Sequence, residues 1–419
     1  MILPFSRRRK TIVSRRAYRG LQDDMAVGTP FHSRTAPLCT SLNWKQWSGY
    51  FAANAYDDFH DPEYHAIRNG AGLIDISPLY KYDVRGPDAR RLVDRLITRD
   101  VHRCGVGQVI YAPWCDHAGH VIQDGTIQRL AESAFRITAA DPSLPWFELS
   151  ATGMDVEVVD VSEQVAALAI QGPTSRTILA RVADGDVSAL PFFALMRARL
   201  GGVPVIVSRT GYTGDLGYEL WAEAADAERL WDVLIEAGAG LGICPAGLMA
   251  LDLVRIEAGL PLIDVDFLSS EKALIPAQKS SPYEIGLGWA VHLGKPAFNG
   301  KRSLTAMRAR GAAQRLVGIE VTWKEVERVW AGEGLSPELS NVASRAGLPL
   351  YAGDRQIGKV TSSCWSRLLK TFIGLATIES GHAAPGQRVQ LEMTVQYMRK
   401  RASATVVKLP FFDPPRKRE

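Results

Sequence analysis

Apolar positions along the chain recur with two different periods. Behind Gly86-Pro87, residues Ala89, Leu92, Val93, Leu96 and Ile97 follow helical spacing. This predicts an amphipathic helix with Pro87 at its start, where a missing N–H is no loss. Ala227, Leu230, Trp231, Leu234 and Ile235 repeat that spacing, and Gly238 predicts where the second helix stops. The block Val84-Arg85-Gly86-Pro87 has a counterpart in Ile170-Gln171-Gly172-Pro173, 86 residues later. Each reads as a strand that runs into Gly-Pro and leaves as a helix, which predicts two similar α+β units and an internal duplication. Beyond Gln314 the period shortens. Leu316–Val321, Gln356–Val360, Phe372–Ile378, Arg388–Val395 and Ala402–Val407 read as short strands separated by Gly and Pro. They predict a separate, barrel-like C-terminal domain, with Trp323–Arg345 as an irregular insertion in it.

Composition narrows the class. The chain has 419 residues, 46% hydrophobic and 22% charged, which is ordinary for two or three globular domains. No apolar run approaches the ~18 residues of a membrane span, so no membrane partner is expected. Five scattered cysteines without a Cys-x-x-Cys predict free thiols in a reducing, cytoplasmic setting. The net charge of +4 comes from the first twenty residues, which hold Arg7, Arg8, Arg9, Lys10, Arg15, Arg16 and Arg19 and no acid. Without those seven charges the body carries 4 − 7 = −3. Residues 1–29 are therefore expected to be a basic, disordered leader, with Met25 an alternative start. No apolar stretch follows the arginines, so this is no secretory signal. A mildly acidic body without a basic stripe predicts no nucleic-acid partner.

Several familiar chemistries are excluded. Gly238-Ala239-Gly240-Leu241-Gly242 follows a helix instead of a strand, and Gly70-Ala71-Gly72-Leu73 lacks the third glycine of a dinucleotide fingerprint. There is no phosphate-binding loop of the Walker type and no Gly-x-Ser-x-Gly elbow. Cys115, Asp116, His117 and His120 are all possible metal ligands, but no second ligand pair exists elsewhere, so no metal site is expected.

Three segments stand out. Ser208–Leu220 interleaves three glycines, Gly211, Gly214 and Gly217, with Tyr212 and Tyr218 and carries Glu219 inside the following strand, which predicts a tight hairpin able to approach a flat ligand. Val109–Ile127 reads as two strands around a turn, with Asp124 placed among apolar residues of the second strand, where propensity disfavours it. Pro245–Gly259 reads as a mainly apolar helix holding Asp252, Arg255 and Glu257; structural ion pairs would also account for Arg255 and Glu257.

With these residues in view, the chain resembles the aminomethyltransferase family, the T-protein of the glycine cleavage system and its relatives, from about Pro30 to Pro410. The likeness is carried by Gly72-Leu73-Ile74-Asp75-Ile76-Ser77, Ile170-Gln171-Gly172-Pro173, the Gly211–Glu219 hairpin, Ile285-Gly286-Leu287-Gly288-Trp289 and Gly358-Lys359-Val360-Thr361-Ser362. It implies an α+β fold, a three-domain ring closed by a C-terminal β-barrel-like domain. Residues 30–312 would form the folate-binding region as two α+β subdomains, 313–410 the barrel, and 411–419 a tail. It also implies tetrahydrofolate through the centre of the ring. On this resemblance Glu219 would bind the pterin edge as a bidentate acceptor. Asp124 would be the catalytic acid that stabilises positive charge developing on a folate nitrogen. Tyr111, expected to act in catalysis as well, and Tyr212 would line the cavity by stacking or hydroxyl contacts, and Arg255 is carried as a further folate-binding candidate.

Departures from the glycine cleavage pattern bear on the donor. Gln123-Asp124 stands where an Asp-Asp pair is usual, Ala250-Leu251-Asp252 where Ala-Arg-Asp is usual, and Pro78-Leu79 where His-Met is usual. A leucine cannot anchor an anion, so recognition must differ. Asp124-Gly125-Thr126 and Thr138-Ala139-Ala140-Asp141-Pro142 look more like the folate-dependent demethylase branch. The expected function is transfer of a methyl group from a small methylated substrate to tetrahydrofolate, with Tyr111, His117 and His120 as candidate proton donors. The alternatives are a glycine-cleavage aminomethyltransferase, which needs a lipoyl carrier protein, and a folate-binding regulator without turnover. The Lys-Gly-Cys-x-Gly-Gln-Glu signature of the non-catalytic relatives is absent. A monomer or homodimer is expected.

Overall fold

A computed structural model describes residues 25–419. Residues 1–24 of the expected leader lie outside the described residues, while Val27–Gly28, placed by the sequence in that leader, already form a strand. The element β1 (Val27–Gly28) pairs in parallel with β3 (Tyr50–Ala55), and β2 (Asn43–Trp47) pairs antiparallel with β3 on its other side. The helix Asp61–Asn69 then leads into β4 (Ala71–Asp75), which joins a larger sheet formed later in the chain.

The first α+β unit consists of β5 (Tyr80–Arg85), the helix Ala89–Leu96, β6 (Val109–Cys115), β7 (Val121–Ala131), β8 (Ala134–Ala139) and β9 (Glu157–Asp160). Its sheet order is β6-β7-β8-β5-β9. The second unit has β10 (Val165–Gln171), the helix Ser175–Val182, β11 (Leu195–Leu200), β12 (Val203–Ser208) and β13 (Gly217–Glu223). With β4 and β14 (Ile243–Pro245) its order is β11-β12-β13-β10-β4-β14. Strand for strand the two sheets share one wiring: β5 matches β10, and β6, β7 and β8 match β11, β12 and β13. The Gly-Pro turns explain the shared sequence block. Gly86 and Gly172 adopt φ of +129° and +133°, and a Cβ on Gly172 would lie 2.4 Å from the Gly70 carbonyl oxygen. Only glycine turns there without strain. Pro87 itself precedes the helix, which begins at Ala89, because Gly86-Pro87-Asp88 forms the turn that connects strand to helix.

The C-terminal domain is a closed six-stranded barrel of β15 (Gln314–Val321), β16 (Leu348–Ala352), β17 (Arg355–Ser366), β18 (Thr371–Glu379), β19 (Arg388–Val395) and β20 (Met398–Val407). Closure removes the exposed edges. β16 escaped the sequence reading: five residues with Pro349 inside carry too little alternation. The expected insertion is also not irregular throughout. It opens with the helix Trp323–Ala331, whose first turn is capped by the Thr322 hydroxyl accepting from the Glu325 N–H, and which buries Val326, Val329 and Trp330.

A buried polar node joins the lobes. Glu257, at the end of the helix Leu248–Glu257, accepts from Tyr64 (2.6 Å), from Arg68 (2.6 and 2.9 Å) and from the Ser366 hydroxyl of the barrel (2.6 Å). The tail is packed as well: Phe412 N–H donates to the Glu257 carbonyl, and Arg416 makes a bidentate pair with Asp215 at 2.7 and 2.8 Å. No helix among the described residues is long and apolar enough to cross a membrane.

Candidate functional site

Both α+β units and the barrel contribute to the walls of one central cavity of about 1310 Å³. That is roomy for a ligand larger than a typical metabolite. Tyr111, Asp124, Tyr212, Glu219 and Arg255 all border it, although they come from three separate stretches of chain.

The β6–β7 hairpin supplies the first acid. Its register sets Pro113 opposite Asp124 and Tyr111 opposite Thr126, so alternate residues of both strands face one side. The Tyr111 hydroxyl donates to Asp124. Desolvation raises the Asp124 carboxyl to about 6, against the pull of that hydrogen bond, and holds the Tyr111 phenol well above its usual range. Next to Asp124, Gly125 admits no side chain: a Cβ would lie 1.9 Å from the Thr138 carbonyl oxygen. Gln123 borders the cavity, is 1% exposed, and leaves its Nε2 without a hydrogen-bond partner among the described residues. The Tyr111 ring lies 6.4 Å from that of Trp289, which Arg99 covers from 5.3 Å.

The second acid sits in β13, where Glu219 pairs in register with Ser208. One carboxylate oxygen, Oε2, accepts from the Thr210 hydroxyl at 2.7 Å, while Oε1 has no partner among the described residues. Desolvation raises this carboxyl too, to about 6. The connecting loop is wrapped around Gln171, a residue that its local sequence does not mark as part of the site. Its Nε2 donates to the carbonyls of Thr210 and Tyr218, and its Oε1 accepts from the Thr213 hydroxyl at 2.8 Å. A Cβ on Gly211 or Gly217 would come within 2.0 and 2.3 Å of that amide, which is why glycines flank it. The signal was present as the Gln before Gly-Pro and the spaced glycines, but nothing local says that they meet.

Tyr212 and Arg255 are placed differently from expectation. The Tyr212 hydroxyl is committed to the Pro261 carbonyl at 2.6 Å, so its ring is what remains for the cavity. Arg255 is 1% exposed and uses all three nitrogens within the protein, on Asp252 (2.8 Å), Asp266 (2.5 Å) and the Ser362 hydroxyl (2.7 Å). Asp266 also accepts from Thr361 and Ser362, which accounts for the Gly358–Ser362 block of the barrel. The ion-pair reading of Arg255 therefore matches the geometry better than direct ligand contact.

His117 and His120 lie at the far end of the β6–β7 hairpin and do not border the cavity, which removes them as proton donors. The His117 ring lies tilted against Trp146 at 5.3 Å, and the turn is held by the Asp116 side chain accepting from the His120 N–H. Nor do Cys115, Asp116, His117 and His120 gather into a ligand set. The one such group among the described residues is Asp94, Asp100 and His102, and there Asp94 is already paired with Lys295 at 2.9 Å.

Comparison with known proteins agrees with this architecture. The family model for the GCVT N-terminal domain matches residues 31–295, and that for the glycine cleavage T-protein C-terminal barrel domain matches residues 315–413. The chain is 35% identical to an aminomethyltransferase of Bacillus mycoides over 356 residues, which is 84% of this chain and 89% of the relative. A Bacillus cereus aminomethyltransferase matches to the same extent. Among solved structures, the glycine cleavage system aminomethyltransferase T of Bartonella henselae superposes with a TM-score of 0.77 over 92% of this chain and 98% of that one, at 22% identity. The chain belongs to the aminomethyltransferase family of the glycine cleavage T-protein type.

Proposed function

We propose that this protein transfers a one-carbon unit, as an aminomethyl-derived group, to tetrahydrofolate held in the central cavity. The observation that carries the reading is the pair of buried acids raised to about 6, Asp124 and Glu219, set on one cavity by two different sheets. Acids perturbed by burial in a cleft are candidates for chemistry. The sites suit a folate. Glu219 is held on one side by Thr210, which leaves an oxygen for the adjacent N–H donors of a pterin edge, and it completes that match as a bidentate acceptor. Tetrahydrofolate, when bound, supplies the nitrogens that receive the carbon. Asp124, oriented by Tyr111 and itself desolvated, stabilises positive charge on the reacting nitrogen. The rings of Tyr111, Tyr212 and Trp289 present flat apolar surface.

The names of the curated relatives favour aminomethyl transfer, the reading that the sequence placed second, and with it a lipoyl carrier protein as partner. A methylated small molecule as donor is the second reading, favoured by Gln123 and Leu251, which replace an acid and an arginine of the glycine cleavage pattern. Incubation with tetrahydrofolate and each donor, followed by the mass of the folate product, separates them. We expect 5,10-methylenetetrahydrofolate with an aminomethyl-lipoyl carrier. 5-Methyltetrahydrofolate from a methylated donor would transfer the assignment to the second reading, and bound folate with neither product would leave only a regulator.

The same acids fix the pH dependence. Asp124 works ionised and its carboxyl lies near 6, so turnover should rise about tenfold per unit below that value and level off above about 7. A kcat profile flat from pH 5 to 8 would contradict the role.

A further inference from the structure

One rim of the cavity carries more positive charge than its partners neutralise. Three segments meet there: Lys45 on β2, Leu251 and Asp252 on the helix Leu248–Glu257, and Arg345 from the loop before β16. They are held close because the strands beside β2 press on the start of that helix, where a Cβ on Gly247 would lie 2.6 Å from the Asn54 carbonyl oxygen. Arg345 reaches across from the barrel domain to Asp252 at 2.8 Å. The other oxygen of Asp252 is taken by Arg255, whose second acid, Asp266, is fully buried. The cluster thus holds the cations Lys45, Arg255 and Arg345 against the anions Asp252 and Asp266. Lys45 has no ion-pair partner among the described residues. Partial burial first, and then the charge of Arg345, lower the Lys45 ammonium below its ordinary range, with Asp252 pulling the other way, so Lys45, Arg345 and Asp252 act on one another at this rim.

We infer that Lys45 and Arg345 form a two-cation clamp at the cavity rim that takes a carboxylate of the bound ligand. A carboxylate there pairs with the unmatched charge and accepts from an ammonium and a guanidinium at once. The side chains of Leu248 and Leu251 on the neighbouring wall are apolar and offer it no donor, so the side-chain contribution there falls to the clamp. Arg345 also gives the barrel domain a hand in binding, since its position depends on the contact with Asp252. The inference rests on the proposed reading that the cavity holds tetrahydrofolate. The carboxylate has two sources, the glutamyl tail of the folate or an acidic group on the one-carbon donor.

The test uses the full chain with Lys45→Met, Arg345→Gln and both together, with Arg345→Lys as the charge-preserving control. Binding of tetrahydropteroyl-triglutamate and of tetrahydropteroate, which lacks the glutamate, is measured alongside the KM for carboxylated and neutral donors. Loss of two charge-assisted bonds should weaken the carboxylated ligand about 10- to 100-fold, with tetrahydropteroate unchanged, partial rescue in Arg345→Lys, and a shallower salt dependence. A loss confined to the triglutamate assigns the clamp to the folate tail. A rise in KM confined to carboxylated donors assigns it to the donor. Equal weakening of tetrahydropteroate and triglutamate, or no change in any ligand, overturns the inference. Should the wild-type protein bind neither tetrahydropteroyl-triglutamate nor tetrahydropteroate, the functional reading fails instead.

Discussion

Replacing Asp124 with asparagine should lower kcat by about 10²- to 10³-fold while the dissociation constant of tetrahydrofolate stays within about threefold, the range seen when one preorganised electrostatic group is removed from an active site. Asparagine keeps the size of the side chain, and its carbonyl oxygen can still accept from Tyr111. What it removes is the negative charge, which matters only where a cation develops, so the loss belongs to kcat and not to binding. The inflection near pH 6 should vanish from the variant's kcat profile together with the group that titrates there. Turnover within threefold of wild type would end the assignment of Asp124.

Glu219→Gln should act on the other parameter, raising the dissociation constant of tetrahydrofolate by about 30- to 1000-fold, as expected when a buried charge-assisted pair worth roughly 2–4 kcal/mol is replaced by one good and one opposed contact. Glutamine can accept one N–H from a pterin edge, but its own NH2 then faces the second donor. The Thr210 hydroxyl can still reach the amide oxygen, so the wall keeps its shape. Stability should move the opposite way. The Asp124 and Glu219 carboxyls lie above their unfolded values, so both acids favour the folded state at low pH. That contribution is lost as pH rises from about 4 to 6. Ligand-free Glu219→Gln and Asp124→Asn should therefore melt above wild type at pH 7.5, with the difference closing toward pH 4. A lower melting temperature for both at pH 7.5 would show that the two charges do not strain the empty cavity.

The parts of this protein that could be read from its sequence are those written in local period or local chemistry. The Gly-Pro turns, the Asp124 hairpin, the Glu219 strand and most barrel strands repeat every two or four residues, and the backbone obeys them. Asp124 drew notice because a charged residue sat where a strand prefers apolar ones. What escaped was set by distance along the chain. Gln171 organises a loop some forty residues away, Arg255 finds Asp266 and Ser362 on different elements, and Arg345 crosses from one domain to another. No spacing announces such meetings. His117 and His120 failed for the converse reason: they sit in the turn that closes the β6–β7 hairpin, and the four residues of extended chain from His120 to Asp124 span about 13 Å, enough to leave both rings off the cavity wall.

The shared wiring of the two α+β units has an evolutionary consequence. If one unit arose as a copy of the other, β7 and β12 descend from one ancestral strand, and β8 and β13 from the next. Asp124 lies on β7, whereas Glu219 lies on β13. The two acids are therefore not twin descendants of a single inherited carboxylate. On that descent the two halves use non-equivalent strands of one common scaffold, so holding a ligand and acting on it fall to positions that the internal symmetry does not relate.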